Sequence, residues 1–287
     1  MFLNGWRGFG LVIHFFRFLL LGQLTFLRRL FATFVPYTVL NMEKEWQIRT
    51  RLLLGEQTMA SLGKKHVLVV GVGGVGAYAA EMLVRGGVGE LTIVDGDKVN
   101  ESNINRQLVA LHSTLGMDKT EVLAKRLLDI NPELKLHVHT IFLKNELTPQ
   151  LLDAAHYDFV VDAIDTLSPK VFLIQCALER HLPLISSMGA GAKSDITKIQ
   201  IADISKSYNC TLAKAVRKRL GKMGIRKGFK VVFSSELPDE KAVMMVEEQN
   251  KVSTVGTISY MPATVGNFIA CHVLSSLRER AREENEE

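Results

Sequence analysis

His66-Val67-Leu68-Val69-Val70-Gly71-Val72-Gly73-Gly74-Val75-Gly76 is the stretch that decides how this chain is read. Its first half is a short β-branched run ending in glycine, the pattern of a parallel strand buried on both faces. Its second half matches GxGxxG and leads into Val75, Tyr78, Ala79, Met82 and Leu83, which share one helical face. Strand, glycine turn and helix in that order make an anion cradle. Glycine permits a tight turn and close approach of backbone to phosphate, and the helix N-terminus favours negative charge. Residues 90–95 (ELTIVD) form the next strand. Asp95 ends it, 19 residues after Gly76, where an acid accepts hydrogen bonds from ribose hydroxyls. At this point the motif fits an NAD-dependent oxidoreductase as well as an ATP-using enzyme.

Outward from this unit, strand and helix alternate. A helix over 119–129 stops at Asn131-Pro132. Strands follow at 135–142, 158–163 and 183–188, with a helix over 168–180 that carries Pro169 in its first turn. The alternation predicts an α/β fold: a doubly wound, Rossmann-like, mostly parallel sheet with helices on both faces. After Gly191 the order changes to a mixed C-terminal extension, with strands at 198–204 and 229–233 separated by a basic helical segment. Residues 252–277 contain no Asp, Glu, Lys or Arg and read as a buried strand, turn and helix, the helix opening at Met261-Pro262. The charged end, 278–287, reads as a solvated tail.

Composition bounds the rest. The chain has 287 residues, 47% of them hydrophobic, enough for a sizeable core, and its formal charge of +5 is mild. Cys176, Cys210 and Cys271 form no CxxC pair, which argues against a disulfide scaffold or a four-cysteine zinc site and for a reducing compartment. His112, His137, His139, His156 and His181 are scattered without metal-ligand spacing. Residues 1–41 stand apart. They lack acidic residues, are rich in Phe and Leu, and are broken by Arg7, Arg17, Arg28 and Arg29. Met42 is read as the true start, with a membrane-surface segment or a transmembrane anchor as alternatives. The expected organisation is therefore an N-terminal extension over 1–41 and one domain over 42–287, with a basic insert at about 205–235.

The residues after Asp95 separate ATP from NAD. Asp97 is followed by Ser102-Asn103-Ile104-Asn105-Arg106-Gln107 and then by Gly116-Met117-Asp118-Lys119. Two cations and several amides near the glycine turn suit a triphosphate, whose charge exceeds what one helix N-terminus offsets. Asp162-Ala163-Ile164-Asp165 ends the fourth strand at the same crevice, where a carboxylate can hold magnesium. No acid-base pair for hydride transfer is evident.

GVGGVG, VDGDKV, SNINRQ, GMDK and DAID, in this order, resemble the ubiquitin-activating-enzyme-like superfamily, over about residues 49–277. The resemblance implies ATP and Mg2+ as cofactors and a role for each matching residue. Gly71, Gly73, Gly74 and Gly76 would cradle the nucleotide. Asp95 would hold the ribose, with Asp97 beside it. Asn103, Arg106 and Gln107 would approach the phosphates. Lys119 would stabilise charge on the α-phosphate and pyrophosphate, and Asp165 would bind magnesium. Arg49 matches an arginine that the homodimers of this superfamily insert into the partner's site. On composition alone Arg49 reads as a solvated charge and Asp165 as a helix N-cap.

Paired CxxC zinc ligands, usual in the carrier-protein activators of the superfamily, are absent. RTRLLLGEQ, EMLVRGGVGELTIVDGDKV, VVDAIDTLSPK and VFSSE look like the threonylcarbamoyladenosine dehydratases, which act on a modified adenosine of tRNA. A tethered attacking group removes the need for an enzyme nucleophile, in keeping with a VFSS segment that lacks cysteine. Residues 205–235 contain no acid, and Lys214, Arg217, Lys218, Arg219, Lys222, Arg226 and Lys227 are the expected RNA-binding residues. A solvated helix face is the bland alternative. Homodimerisation, a sulfurtransferase or sulfur-acceptor partner, and a cytoplasmic setting, with association at the inner face of the membrane, complete the expectations. An adenylyltransferase acting on a ubiquitin-like sulfur carrier and a non-catalytic nucleotide-binding scaffold are the competing readings.

Overall fold

The computed structural model describes residues 42–248 and 251–286. Residues 1–41, on which both membrane readings rest, lie outside the described residues. No helix among the described residues is long and apolar enough to cross a membrane. The chain divides into two compact units, Met1–Ile48 and Arg49–Glu287. Of the first, Met42–Gln47 is a 3-10 turn.

The second unit is built on a seven-stranded sheet. Helices α1 (Ile48–Leu54) and α2 (Glu56–Leu62) lead into β1 (His66–Val70). Then come α3 (Gly76–Arg85), β2 (Glu90–Val94), α4 (Lys119–Ile130), β3 (Lys135–His139), α5 (Leu147–Asp153), β4 (Phe159–Asp162), α6 (Leu167–Glu179) and β5 (Leu184–Ser187). The chain continues through β6 (Ile199–Asp203), α7 (Thr211–Lys222), β7 (Lys230–Ser234), the hairpin β8 (Val243–Glu248) and β9 (Lys251–Val255), and α8 (Tyr260–Glu286). The strand order is β3-β2-β1-β4-β5-β7-β6, all parallel except β6, which runs antiparallel to β7. The order reverses beside β1, so the C-terminal ends of β1 and β4 open a crevice between them.

Strand alternation sends side chains to two cores. On one face Val67, Val69, Leu91, Ile93 and Val161 pack with α3, α4 and α8 through Leu83, Leu123, Leu127, Val265, Ile269 and Val273. On the other Leu68, Val70, Val94 and Val160 pack with α6 and α7 through Leu173, Ile174, Val216 and Leu220. Each such side chain contributes roughly 1.5–3 kcal/mol when fully buried. Helix α8 crosses α3 at close range. A Cβ at Gly266 would lie 2.5 Å from the Val75 carbonyl oxygen, so only glycine allows this approach.

The structure corrects several expectations. The reading of a solvated tail is corrected over the described residues: α8 continues to Glu286, Leu277 and Ala281 are buried, and Arg280 Nη1 donates to the Asp158 carbonyl at 3.3 Å. Residues 205–235 are not an insert. They supply α7, whose Ala213, Val216 and Leu220 are buried, and β7, an internal strand of the main sheet. Strand β3 ends at His139 rather than running to Phe142. Helix α5 and strand β8 had no counterpart in the sequence reading.

Candidate active site

The glycine turn has the constraints its motif implies. Gly71 has φ +88°, and a Cβ there would lie 2.7 Å from the Ala163 carbonyl oxygen. A Cβ at Gly76 would sit 1.8 Å from the Gly71 carbonyl oxygen, so the turn closes only on hydrogen. Gly74 faces Pro262 of α8 and the Arg106 side chain, at 3.3 and 3.6 Å from its ideal Cβ. Gly73 faces Gln107, whose Nε2 is 3.6 Å from the ideal Cβ. The buried Oε1 of that same Gln107 accepts no hydrogen bond. An orphaned buried amide beside a tight glycine turn marks a place where a polar ligand adds a partner.

Asp95 pins this turn to the end of β2. Its Oδ2 accepts from the Val72 backbone N–H and its Oδ1 from the Asp97 N–H, both at 2.8 Å. Burial pushes its carboxyl above the usual range, against the opposing pull of those two N–H donors and of the Lys119 charge. Each oxygen keeps acceptor capacity, as a ribose-binding acid requires.

Lys119 begins α4 and is buried, yet its Nζ donates to the exposed Asp97 Oδ2 at 2.7 Å. The intervening loop is zipped at its base. Lys119 N–H bonds the Asp97 carbonyl at 3.1 Å, Lys98 pairs with Asp118 at 2.8 Å, and Val99 N–H bonds the Met117 carbonyl at 2.8 Å. A buried ammonium is thus held at the rim where β2 ends.

The 102–107 segment serves both structure and site. Asn103 is buried, and its Oδ1 accepts from Asn100 N–H at 3.2 Å, while its carbonyl receives Arg106 and Gln107 N–H. It positions its neighbours. Arg106 Nη1 donates to the Ser102 carbonyl at 2.9 Å and to Asn105 Oδ1 at 2.8 Å. Asn105 in turn donates to the Thr257 carbonyl at 3.0 Å and so ties the segment to the entry of α8. Sequence reasoning gave no site role to Asn105, though it lay in the quoted SNINRQ motif, and it read Pro262 only as a helix start, with no local signal that it would face Gly74.

At the end of β4 the two aspartates part ways. Asp162 is fully buried. Its Oδ2 accepts from Lys170 Nζ and from Ser186 Oγ, both at 2.6 Å, and its Oδ1 from Ile164 N–H at 3.1 Å. Asp165 is exposed and has no side-chain partner among the described residues. It is not the N-cap of α6, which is Thr166. Helix α7 is tied to the first turn of α6 by Arg219 Nη1, which donates to Ser168 Oγ at 2.7 Å.

The structure therefore brings Gly71, Gly73, Gly74, Gly76, Asp95, Asp97, Arg106, Gln107 and Lys119 together. Arg49 is exposed on α1, and no hydrogen bond or ion pair among the described residues joins it to them. Among the expected RNA residues, Lys214, Lys218 and Lys222 form one exposed stripe of α7, and Arg219, Arg226 and Lys227 are also exposed. Arg217 departs from this group, because its guanidinium is bound to the Ser207 carbonyl and hydroxyl and braces the preceding turn.

A crevice at the strand-order reversal, a glycine turn that closes on hydrogen, a strand-end aspartate pinned to that turn and a buried lysine define an α/β nucleotide-binding domain. The chain belongs to the ThiF family, whose model matches residues 46–287. It is 40% identical over 237 residues to a tRNA threonylcarbamoyladenosine dehydratase of Bacillus subtilis, covering 80% of this chain and 93% of that protein. Among solved structures it resembles the Escherichia coli tRNA N6-threonylcarbamoyladenosine dehydratase in complex with ATP. The TM-score is 0.77 and the identity 33%, over 85% of this chain and 98% of that one. The same enzyme in complex with AMP gives a TM-score of 0.74 at 34% identity, over 82% and 94%.

Proposed function

We propose that this chain is an ATP-dependent tRNA threonylcarbamoyladenosine dehydratase. It adenylates the threonyl carboxylate of the modified nucleoside, and the neighbouring carbamoyl group then closes a ring with release of AMP. What carries this reading is the joint presence at one glycine turn, in a chain of this family, of Arg106 and the Asp95–Asp97–Lys119 chain of contacts, with Asp165 two residues beyond Ala163, whose carbonyl lies against Gly71. A dehydrogenase has no use for that set.

Under this reading the glycine turn and the start of α3 hold the phosphates, and Asp95 holds the ribose. Lys119 and Arg106 stabilise the charge that develops as pyrophosphate leaves. Asp165 is the carboxylate available to magnesium, since Asp162 is consumed by Lys170 and Ser186. Magnesium, when bound, supplies further neutralisation of phosphate charge. No cysteine nucleophile is required, because the attacking group is tethered to the activated carboxylate. Cys176 and Cys210 are in any case buried.

Arg49 acts in this proposal from the partner of a homodimer. Leu52 and Leu53, its neighbours on α1, are 75% and 82% exposed, an apolar surface suited to a partner copy. The basic stripe of α7 takes the tRNA backbone, and the Arg219–Ser168 contact sets that helix beside the strand end that carries Asp165. A sulfurtransferase or sulfur-acceptor partner, a cytoplasmic setting and association with the inner face of the membrane belong to the same proposal.

The test is to incubate the chain with magnesium, ATP and tRNA bearing threonylcarbamoyladenosine. The expected result is AMP and loss of one water from the nucleoside, both abolished in Asp165→Ala. AMP formed only with a carrier protein ending in Gly-Gly would assign the chain to carrier activation. No turnover with either would reject the reading.

A further inference from the structure

We propose that His66, Glu90 and His137 form a site for a divalent transition-metal ion of the zinc class, at the end of the sheet opposite the nucleotide crevice. The three residues come from adjacent strands. His66 opens β1, Glu90 opens β2 in register with it, and His137 lies on edge strand β3 opposite Thr92. One ligand atom from each lies within 4.8 Å of the others. His137 Nε2 is 2.9 Å and His66 Nδ1 3.6 Å from the same carboxylate oxygen, Glu90 Oε1. Zinc bonds of about 2.0–2.1 Å at tetrahedral angles place neighbouring ligand atoms about 3.3 Å apart. Both His–Glu90 separations lie within a few tenths of an ångström of that spacing, and the two imidazole nitrogens lie within 4.8 Å of each other.

The surroundings suit this use. His66 Nε2 contacts Thr92 Oγ1 at 2.8 Å, which fixes the ring's orientation with Nδ1 towards the carboxylate, where the His156 backbone competes with an ion for the ring. The buried Tyr157 packs on the ring at 4.7 Å between centroids. Two imidazoles and one carboxylate are ligands that zinc accepts, and the half-exposed His137 leaves a fourth position open to water. Lys135 Nζ lies 4.0 Å from Glu90 Oε2 and opposes a cation, but its side chain is 76% exposed and free to swing away. Strand β1 separates this cluster from Gly71 by about 16 Å, at roughly 3.3 Å per residue. An ion here staples the edge strand to the sheet without touching the nucleotide.

The experiment uses the untagged full chain, stripped with chelator and titrated with zinc chloride by calorimetry. Cobalt(II) serves as an optical probe of coordination. One equivalent of zinc should bind, raise the melting temperature and give the intense visible band of four-coordinate cobalt. His137→Ala and Glu90→Gln should abolish binding, and Thr92→Val should weaken it about 10-fold. ATP affinity should be unchanged in all three. His137 is half exposed, so its replacement leaves the core intact. Zinc binding that survives His137→Ala, or no zinc binding by the native chain, would overturn the proposal.

Discussion

Lys119, a buried lysine, and Asp97, an exposed aspartate, are joined by a 2.7 Å bond between Nζ and Oδ2 at the mouth of the crevice. The acid holds the ammonium at the rim, where under the proposed function a phosphate of ATP would compete for it. Lys119→Ala should retain the fold and lower AMP formation by about 100-fold or more, the scale of losing one preorganised charge donor. Single-turnover kinetics separate that loss from any change in ATP affinity.

The glycine turn gives a graded pair of variants. Gly76→Ala forces a methyl into the Gly71 carbonyl and should destabilise the protein by about 3 kcal/mol and eliminate ATP binding. Gly73→Ala meets only the Gln107 side chain, 3.6 Å away, and should fold normally while binding ATP more weakly. Chemical denaturation and nucleotide titration read the two effects independently.

The Asp162–Lys170 pair is fully buried on both sides. Lys170→Met leaves a carboxylate stranded in the core with only Ser186 and a backbone N–H for company. The expected cost is about 3–5 kcal/mol of stability, visible as a lowered denaturation midpoint.

Glu81, buried on α3, sits under two arginines, with Arg126 Nε of α4 at 2.5 Å and Arg85 Nε at 2.8 Å. Burial pushes its carboxyl up, but the arginine hydrogen bonds and charges together outweigh burial and hold it below the ordinary value of 4.5. A depressed folded value means that its stabilisation is full above pH 4.5 and is lost as pH falls through the folded value. Glu81→Gln should therefore cost about 1–2 kcal/mol at pH 7, after allowance for the solvent-facing arginines. The gap to the native protein should narrow as the medium is acidified below pH 4.5, and thermal melts across pH 3–7 check this sign.

Reversal of Lys214, Lys218 and Lys222 to Glu should weaken tRNA binding and reduce its salt slope by roughly one per lysine, with ATP binding unchanged. Arg217→Glu should instead lower the melting temperature, because that guanidinium braces the turn at Ser207. Filter binding over a salt series distinguishes the two.

The main sheet was legible because its strands are buried β-branched runs punctuated by glycine and proline, and the site because its motifs are local. What escaped the sequence was placement across long separations. The apolar run before Leu277 suggested a helix, but nothing in residues 278–287 revealed that Arg280 would find the Asp158 carbonyl. The basic run at 205–235 looked like a surface addition, since charge count hides the Ala213, Val216, Leu220 face that buries it. Arg217 looked like its neighbours until its hydrogen bonds to Ser207 were visible. His66, Glu90 and His137 have no spacing that suggests a cluster, because register between neighbouring strands, rather than sequence interval, brings them together.

Pro262 and Gly266, near the start of the last helix, lie against Gly74 and the Val75 carbonyl, so the phosphate cradle is walled by residues made long after it. During synthesis the glycine turn therefore leaves the ribosome with one wall missing until the start of α8 has emerged, nearly 190 residues later in the sequence.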